Sequence, residues 1–285
     1  MMQEQDHRDP PALECHLFGT GHCLASENYL IRGGRRVRVE CHSLVALLRH
    51  PTHGWFLWDA GYAPRMLEET RRAPYVLYRV VTPLRLRPEL AAVEQIGRWG
   101  LTASDIERVI ISHFHADHIA GLRDFPRAQF ITSASAYQSV AGRHGFSALR
   151  RGMIPRLLPE DFATRAELLP DFVGPALPGL GPTHDLFGDG SLLFVALPGH
   201  ARGQMGMLAH TTQGKALFAA DACWLARSIR EHRTPHPITN LLVDDPRAVH
   251  TTIDHLAAFA QAHPDITIIP SHCPETFARE GVRFA

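Results

Sequence analysis

The chain has 285 residues, of which 45% are hydrophobic and 20% charged, and its formal net charge is +0. This length can hold one large domain with a full core, and the composition is ordinary for a soluble globular protein. The balanced charge argues against a general polyanion binder, so nucleic acid is not an expected partner.

The N-terminal residues and the cysteines both bear on where the protein is located. Residues 1–12 are polar and carry no apolar signal core, so we expect a flexible tail ahead of a single domain over 13–285. No stretch approaches the roughly 20 apolar residues that span a bilayer, so a membrane is not an expected partner. The five scattered cysteines contain no CxxC pair, which argues against disulfides and favours a cytoplasmic protein.

Strands and helices are predicted to alternate along the chain. We expect strands at 13–19, 37–49 and 54–59, a helix at 88–99, a strand at 109–111, a helix at 133–141, strands at 192–197 and 216–220, a helix at 246–262 and a last strand at 266–269. This mixture indicates an α/β or α+β fold with layered sheets. Residues 142–190 are rich in proline and glycine, and we expect a lid or substrate loop there, with a surface insertion of no role as the alternative.

Four of the predicted strands are each followed by a residue that can bind a metal ion. His113 follows Val109 to Ile111, and the other three such residues are His200, Asp221 and His272. A buried strand delivers the residues after it to one edge of its sheet, where loops hold functional side chains on a rigid base. If the strand ends converge, these side chains form one site.

The first of these strand ends is the densest, because it reads His-Phe-His-Ala-Asp-His over 113–118. In extended backbone, side chains at i and i+2 face the same way, so His113 and His115 can share one ion. After the turn, Asp117 and His118 point into a neighbouring volume. Imidazole and carboxylate suit zinc, and also iron, manganese or cobalt.

The number of candidate ligands favours two metal ions. A catalytic zinc usually has three protein ligands and an open position. One such set is His113, His115 and His200, and a second is Asp117, His118 and His272, with Asp221 able to bridge both. Two close cations need anionic compensation, which two aspartates and a bridging hydroxide supply.

At these residues the chain resembles the metallo-β-lactamase superfamily. The run His113 to His118 matches that family's most specific motif, and Asp59-Ala60-Gly61 is similar to its turn beneath the metal site. The resemblance implies a four-layer αβ/βα sandwich of two facing mixed sheets with outer helices and two divalent metal ions, zinc with iron or manganese as alternatives, at one edge. It implies the same seven ligands, namely His113, His115, Asp117, His118, His200, Asp221 and His272.

Within the superfamily, the order of segments is most similar to the N-acyl-homoserine lactonase group. Similar features include the Gly-His-Cys turn near Cys23, residues 198–204 and residues 220–224. Those lactonases carry a tyrosine three residues after the bridging aspartate, and here that position is Trp224. An indole N–H can donate a hydrogen bond but cannot usefully transfer a proton.

The resemblance and the ligand set together imply a dinuclear hydrolase that acts on a carbonyl ester, most plausibly a lactone, through a metal-bridging hydroxide. Asp117 would orient the hydroxide and carry its proton to the leaving group, and Asp59 would fix imidazole tautomers from behind the ligands. Candidate substrate-binding residues are Phe18, His22, Trp224 and Arg227. For Arg227 and its basic neighbours after the Asp221 strand, a solvated surface loop is an equal alternative.

Other functions remain open from sequence alone. A thioester hydrolase resembling hydroxyacylglutathione hydrolases ranks lower, because we see no long extension after His272 of the kind those enzymes use to hold glutathione. A phosphodiesterase ranks lower because there is no basic stripe. A catalytically silent ligand-binding member of the fold is the non-enzyme alternative. In each case we expect a small-molecule ligand, and a homodimer is left open.

Overall fold

The computed structural model describes residues 9–284. Residues 1–8 of the predicted tail lie outside the described residues, while Pro10 already contacts the body of the protein, since His210 Nδ1 donates to its carbonyl at 2.8 Å. Among the described residues, no helix has the length and apolar character needed to cross a bilayer.

Thirteen strands and eleven α-helices make up the described chain. The strands are β1 Glu14–Ser26, β2 Arg38–His50, β3 Gly54–Trp58, β4 Leu84–Arg85, β5 Ile106–Ile110, β6 Gln129–Ser133, β7 Ala166–Leu169, β8 Ala176–Leu177, β9 Gly181–Asp185, β10 Leu192–Ala196, β11 Met205–Thr211, β12 Gly214–Ala220 and β13 Thr267–Pro270. The helices are α1 Glu27–Leu30, α2 Arg65–Glu69, α3 Val76–Val81, α4 Ala92–Gln95, α5 Ala116–Ile119, α6 Ala134–Val140, α7 Gly145–Leu149, α8 Phe162–Arg165, α9 Ala226–Arg230, α10 Pro246–Ala262 and α11 Pro274–Arg283.

The strands form two mixed sheets. The first has the order β4-β1-β2-β3-β5-β6-β7, and the second has the order β13-β12-β11-β10-β9-β8. Pairing is parallel where β3, β5, β6 and β7 lie side by side and where β12 meets β13, and it is antiparallel elsewhere.

Side chains of both sheets meet in one shared core. Strand β2 shows how, because its successive side chains alternate between faces. Leu44, Ala46 and Leu48 join the core between the sheets, where Phe194 of β10 also lies. Val45 and Leu47 face the opposite way. With both faces buried, β2 is a nearly continuous apolar run, as expected for a central strand.

Helices cover the outer face of each sheet. Ile119 of α5 and Phe162 of α8 pack on the first sheet, while Ile253 and Leu256 of α10 pack on the second. The order helix, sheet, sheet, helix is the predicted αβ/βα sandwich, so the predicted fold class is confirmed.

Two predicted elements differ from the structure. The predicted helix at 88–99 is a chain of short turns, because Ala91 is extended (ψ 143°) and the Gln95 side chain donates to the Leu90 carbonyl at 2.6 Å. Residues 21–23 are not a turn: they continue β1 past a bulge between Gly19 and His22.

The Pro- and Gly-rich stretch 142–190 also contains more regular structure than its composition indicated. It contributes β7 to the first sheet and β8 and β9 to the second; of these three strands only β9 contains glycine and proline, at Gly181 and Pro182. Its first part, around α7, takes no place in either sheet. All five cysteines are free and buried.

Candidate metal centre

Loops that follow neighbouring strands meet at one edge of the sandwich. Strands β3 and β5 are parallel, with Trp58 opposite Ile110, so the loops carrying Asp59 and His113 leave the first sheet side by side. Strands β12 and β13 are parallel, with Ala220 opposite Pro270, which brings Asp221 to the same edge as the residues after β13. Each sheet therefore places its candidate functional residues at a common rim.

One group of side chains at this rim contains three histidines and a carboxylate. His113, His115, His200 and Asp221 each offer one ligand atom, and these atoms lie within 4.8 Å of one another. His115 Nδ1 lies 2.8 Å from His200 Nε2, which in turn lies 3.2 Å from Asp221 Oδ2.

The loop that carries His200 is held by the start of α10. The backbone N–H of Asp244 donates to the His200 carbonyl at 3.0 Å, and that of Asp245 donates to the Gly199 carbonyl at 2.8 Å. Gly199 has a φ of +125°, and a Cβ there would lie 2.4 Å from the Val249 backbone nitrogen. Only glycine lets this loop come so close to the helix.

A second group lies next to the first. Asp117, His118 and His272 also offer ligand atoms within 4.8 Å of one another, and His272 Nε2 is 3.3 Å from Asp117 Oδ2. Asp221 lies between the groups: its Oδ1 is 3.2 Å from His118 Nε2 and its Oδ2 is 2.8 Å from His272 Nε2. The two groups have the membership that the sequence analysis predicted.

Charge at the two groups is unevenly distributed. Burial and the neighbouring imidazoles lower the pKa of His113 well below its usual value, and burial lowers the pKa of His115 to about 4. Burial also lowers the pKa of His272, but the Asp221 carboxylate outweighs it and the net pKa is about 9. The first group thus offers neutral imidazoles, the form that binds metals. The carboxylates are stabilised by positive charge beside them.

Several buried atoms at the centre have no hydrogen-bond partner among the described residues. They include His113 Nε2, His118 Nε2 and Asp221 Oδ1. Such atoms are rare in folded proteins because leaving them unpaired costs about 1–3 kcal/mol each. Imidazole nitrogen and carboxylate oxygen are ligands of zinc, iron and manganese. The residues therefore fit a pair of divalent cations.

Asp59 supports the ligands from behind. It is fully buried, and its carboxylate accepts hydrogen bonds from Ser112 N and Ser112 Oγ, both at 2.8 Å. Its Oδ2 also lies 2.7 Å from His118 Nδ1, which leaves His118 Nε2 to face the centre. Asp59 has a φ of +58°, a left-handed conformation that costs energy and is typical of functional turns.

Sequence reasoning missed Tyr78. This residue lies on α3, and its hydroxyl donates to Asp117 Oδ1 at 3.2 Å. Burial raises the pKa of Tyr78 well above its usual value, as does the nearby Asp117 carboxylate, so the phenol keeps its proton. No motif surrounds it; the only local signal is a tyrosine within the short apolar stretch 76–81.

A cavity of about 930 Å³ opens onto this centre. His115 and His200 form part of its wall, so it reaches the first group of ligands directly. Residues from the start of the 142–190 stretch also line it, as do residues 240–244. Both apolar and basic side chains face the cavity.

The four residues predicted to bind substrate lie in different surroundings. Trp224 lies beside the centre, with its ring 5.7 Å from that of His200. His22 lies 3.6 Å from Glu40 and next to His42, and it is not part of the cavity wall.

Phe18 and Arg227 are engaged elsewhere and do not line the cavity. Phe18 is only 4% exposed and packs in the core against Trp99, because its position on β1 faces the outer helices. The Arg227 guanidinium is paired with Glu27 and Glu231 at 3.0 and 2.9 Å. Neither side chain lines the cavity, so the structure does not support a substrate-binding role for them, and that role stays a prediction from the sequence.

Gly152 offers a test of how closely the His115 ring must be held. Its carbonyl accepts from Ala116 N at 2.9 Å, and a Cβ at this position would lie 2.5 Å from His115 Cδ2. We expect Gly152→Ala to displace the ring and to lower kcat/KM by about tenfold or more, because small displacements of a positioned group are costly.

Gly142→Ala is the matched control for this variant. Gly142 has a φ of +69°, against +63° for Gly152, but a Cβ there meets nothing within 4 Å. Both variants should lose about 1 kcal/mol of stability from the backbone conformation, and only Gly152→Ala should lose activity. Equal activities of the two variants would contradict the proposed need for a fixed His115 ring.

Residues 38–272 match the model of the metallo-beta-lactamase superfamily. The N-acyl homoserine lactonase AttM of Agrobacterium fabrum is 27% identical over 239 residues, which are 81% of this chain and 82% of that protein.

Solved structures show the same fold. An N-acyl homoserine lactone hydrolase solved with the product N-hexanoyl-L-homoserine at its catalytic metal centre superposes with a TM-score of 0.73 at 16% identity, covering 94% of this chain and 97% of that chain. The dizinc quorum-quenching lactonase AidC gives a TM-score of 0.63 at 15% identity, covering 94% and 90%.

Proposed function

The chain belongs to the metallo-β-lactamase superfamily, and from this premise we propose that it is a dinuclear metal-dependent hydrolase that opens a lactone ring. The lactone is proposed because AttM, a relative that aligns over most of the chain, is named as a lactonase. Fold alone would not distinguish lactones from other substrates.

One observation carries this proposal. Apart from Asp221, the two ligand groups each contain three side chains, and the Asp221 carboxylate lies within 3.2 Å of ligand nitrogens in both. A carboxylate in that position can contact two cations at once. We propose that all seven side chains are ligands, and that zinc is the native metal because imidazole-rich sites with one open position per ion suit zinc.

When bound by these side chains, two divalent cations would lower the pKa of a water to near neutrality and would polarise a carbonyl oxygen. The residues of the chain then have separate tasks. Asp117 would orient the attacking water and carry its proton to the leaving alcohol. Asp59 would fix the His118 ring through their 2.7 Å contact.

We propose that Tyr78 is a second proton donor, in addition to Asp117. Trp224 stands where the similar lactonases have a tyrosine, and an indole cannot transfer a proton usefully. The Tyr78 hydroxyl lies 3.2 Å from Asp117 Oδ1, so a phenol on α3 contacts the carboxylate that is proposed to carry the proton. It would donate to the developing oxyanion or to the leaving oxygen.

Tyr78→Phe tests this role. Removing the hydroxyl should lower kcat by about tenfold to a hundredfold with a smaller effect on KM, because the hydrogen bond strengthens as charge develops. Tyr29→Phe is the control, since Tyr29 is 45% exposed and should leave both constants unchanged. A Tyr78→Phe enzyme with wild-type kcat would refute the assignment.

The substrate class is tested with a panel of lactones, aryl esters, thioesters and phosphodiesters, assayed with defined zinc, manganese and iron. We expect the highest kcat/KM for lactones with zinc. A higher kcat/KM for phosphodiesters or thioesters would replace the proposed reaction with one of those. Full metal loading without turnover of any class would favour a ligand-binding member of the fold.

A further inference from the structure

The cavity beside the metal centre is rich in arginine. Arg143, Arg150, Arg151 and Arg202 all line it, and Asp244 is the one acidic residue of its wall. The whole chain has equal numbers of basic and acidic residues, so this concentration of positive charge is local. It comes from two separate segments, one around α7 and one in the loop after His200.

These arginines have few partners. Arg151 pairs with Asp244, and Arg143 donates to the Ser139 carbonyl at 2.5 Å. Within residues 9–284, the exposed side chains of Arg150 and Arg202 make no hydrogen bond and no ion pair. By contrast, Arg227 and Arg230 each lie within 3.0 Å of a glutamate oxygen.

The arginine charges also act on one another. Burial lowers the pKa of Arg151, and Arg143, Arg202 and Arg150 lower it further. Like charges in one cavity disfavour each other unless an anion lies among them. The cavity thus contains uncompensated positive charge in reach of His115 and His200.

We propose that this cavity binds an anionic group of the substrate, a carboxylate or a phosphate, while the scissile carbonyl lies at the metal centre. This inference rests on the proposed function, and it adds the substrate class: lactones or esters that carry a negative charge on the side chain. Guanidinium groups bind both anions through paired hydrogen bonds.

Part of the cavity wall is apolar and suits a hydrocarbon link between the two ends of such a molecule. Phe146 and Leu241 line the cavity and are 68% and 82% exposed. Large exposed apolar side chains at a cavity commonly mark a binding surface. Binding a substrate with an apolar middle would cover them.

Two lactones that differ in one group test the proposal. One is a γ-lactone whose side chain ends in a carboxylate, and the other ends in the matching carboxamide. With the zinc-loaded wild-type enzyme we expect kcat/KM to be at least about tenfold higher for the carboxylate, since one hydrogen bond to a charged group accounts for that factor. The preference should shrink as salt concentration rises.

The arginines are tested with the double variant Arg150→Gln/Arg202→Gln, in which the preference for the carboxylate lactone over the carboxamide should fall to about twofold or less. The control is Arg98→Gln/Arg127→Gln, which removes the same charge from exposed positions outside the cavity wall and should keep the preference. A wild-type enzyme without preference, or a preference retained in Arg150→Gln/Arg202→Gln, would overturn the proposal.

A binding measurement separates this proposal from the proposed function. Calorimetry with succinate and with inorganic phosphate, on zinc-loaded wild type and on Arg150→Gln/Arg202→Gln, needs no turnover. Binding of either anion should weaken about tenfold or more in the variant, and the tighter of the two identifies the favoured group. If neither lactone is hydrolysed but this difference is seen, the lactonase proposal fails and the anion site stands; equal binding by both proteins sinks the anion site.

Discussion

His115→Ala should lower kcat/KM by at least about a thousandfold. The ring lies 2.8 Å from His200 Nε2 within the first ligand group, and loss of one ligand opens that group to solvent and misplaces its cation. Metal-assisted stabilisation supplies several kcal/mol of the barrier reduction, and about 4 kcal/mol corresponds to a thousandfold in rate. The metal content should fall toward one equivalent per chain.

The fold of this variant should persist, because His115 lies on the cavity wall and is only partly buried. The comparison is made on metal-free proteins, since bound metal itself stabilises the wild type. Their unfolding midpoints should agree within a few degrees. His250→Ala, at an exposed position of α10, should match wild type throughout. Wild-type activity in His115→Ala would show that the first group is not used.

Asp59→Asn should have the second largest effect, on metal affinity and stability together. The carboxylate accepts from Ser112 N, Ser112 Oγ and the His118 ring, and an amide can accept with only one of its two ends. Loss of a partner behind a metal ligand typically weakens metal binding tenfold to a hundredfold. Leaving a buried donor unpaired should cost about 2–4 kcal/mol.

Competition with a chelator measures the affinity, and urea unfolding of the metal-free proteins measures the stability. Asp171→Asn is the matched control at an exposed position and should change neither quantity. An Asp59→Asn protein that binds both metals as tightly as wild type would refute the supporting role. Loss of stability without loss of affinity would restrict Asp59 to the turn.

Local patterns predicted which side chains the structure brings together at the rim. The residues from His113 to His118 follow a buried strand, and alternation along extended backbone already separates His113 and His115 from the rest. His200, Asp221 and His272 were found because each follows an apolar run that ends at a sheet edge. Their pairing into two groups then needed only the count of ligands that each cation takes.

The other parts of the cleft depend on tertiary contacts. Tyr78 reaches Asp117 from a short helix, and Arg202 joins Arg143 and Arg150 only because the folded chain brings the loop after His200 and the segment around α7 to one cavity. No spacing within the sequence connects these residues. Phe18 was predicted to line the cleft, but the alternation of side chains along β1 turns it into the core.

The broken helix at 88–99 shows a different limit of prediction from sequence. Residues 88–99 have helical spacing of apolar side chains, and Ile96 is indeed buried. That spacing fixes which residues face the core, but it does not require continuous backbone hydrogen bonds. The Gln95 side chain takes the Leu90 carbonyl and also donates to the Gly19 carbonyl at 2.9 Å, so it stabilises the interruption.

In the proposed centre, residues that are distant in the chain bind one pair of ions. Anomalous diffraction at the zinc edge, from crystals of protein purified with zinc, tests it directly. We predict two peaks, one enclosed by His113, His115 and His200 and the other by Asp117, His118 and His272, with Asp221 contacting both. A single peak, or two peaks of which one lies outside these ligands, would contradict the dinuclear centre.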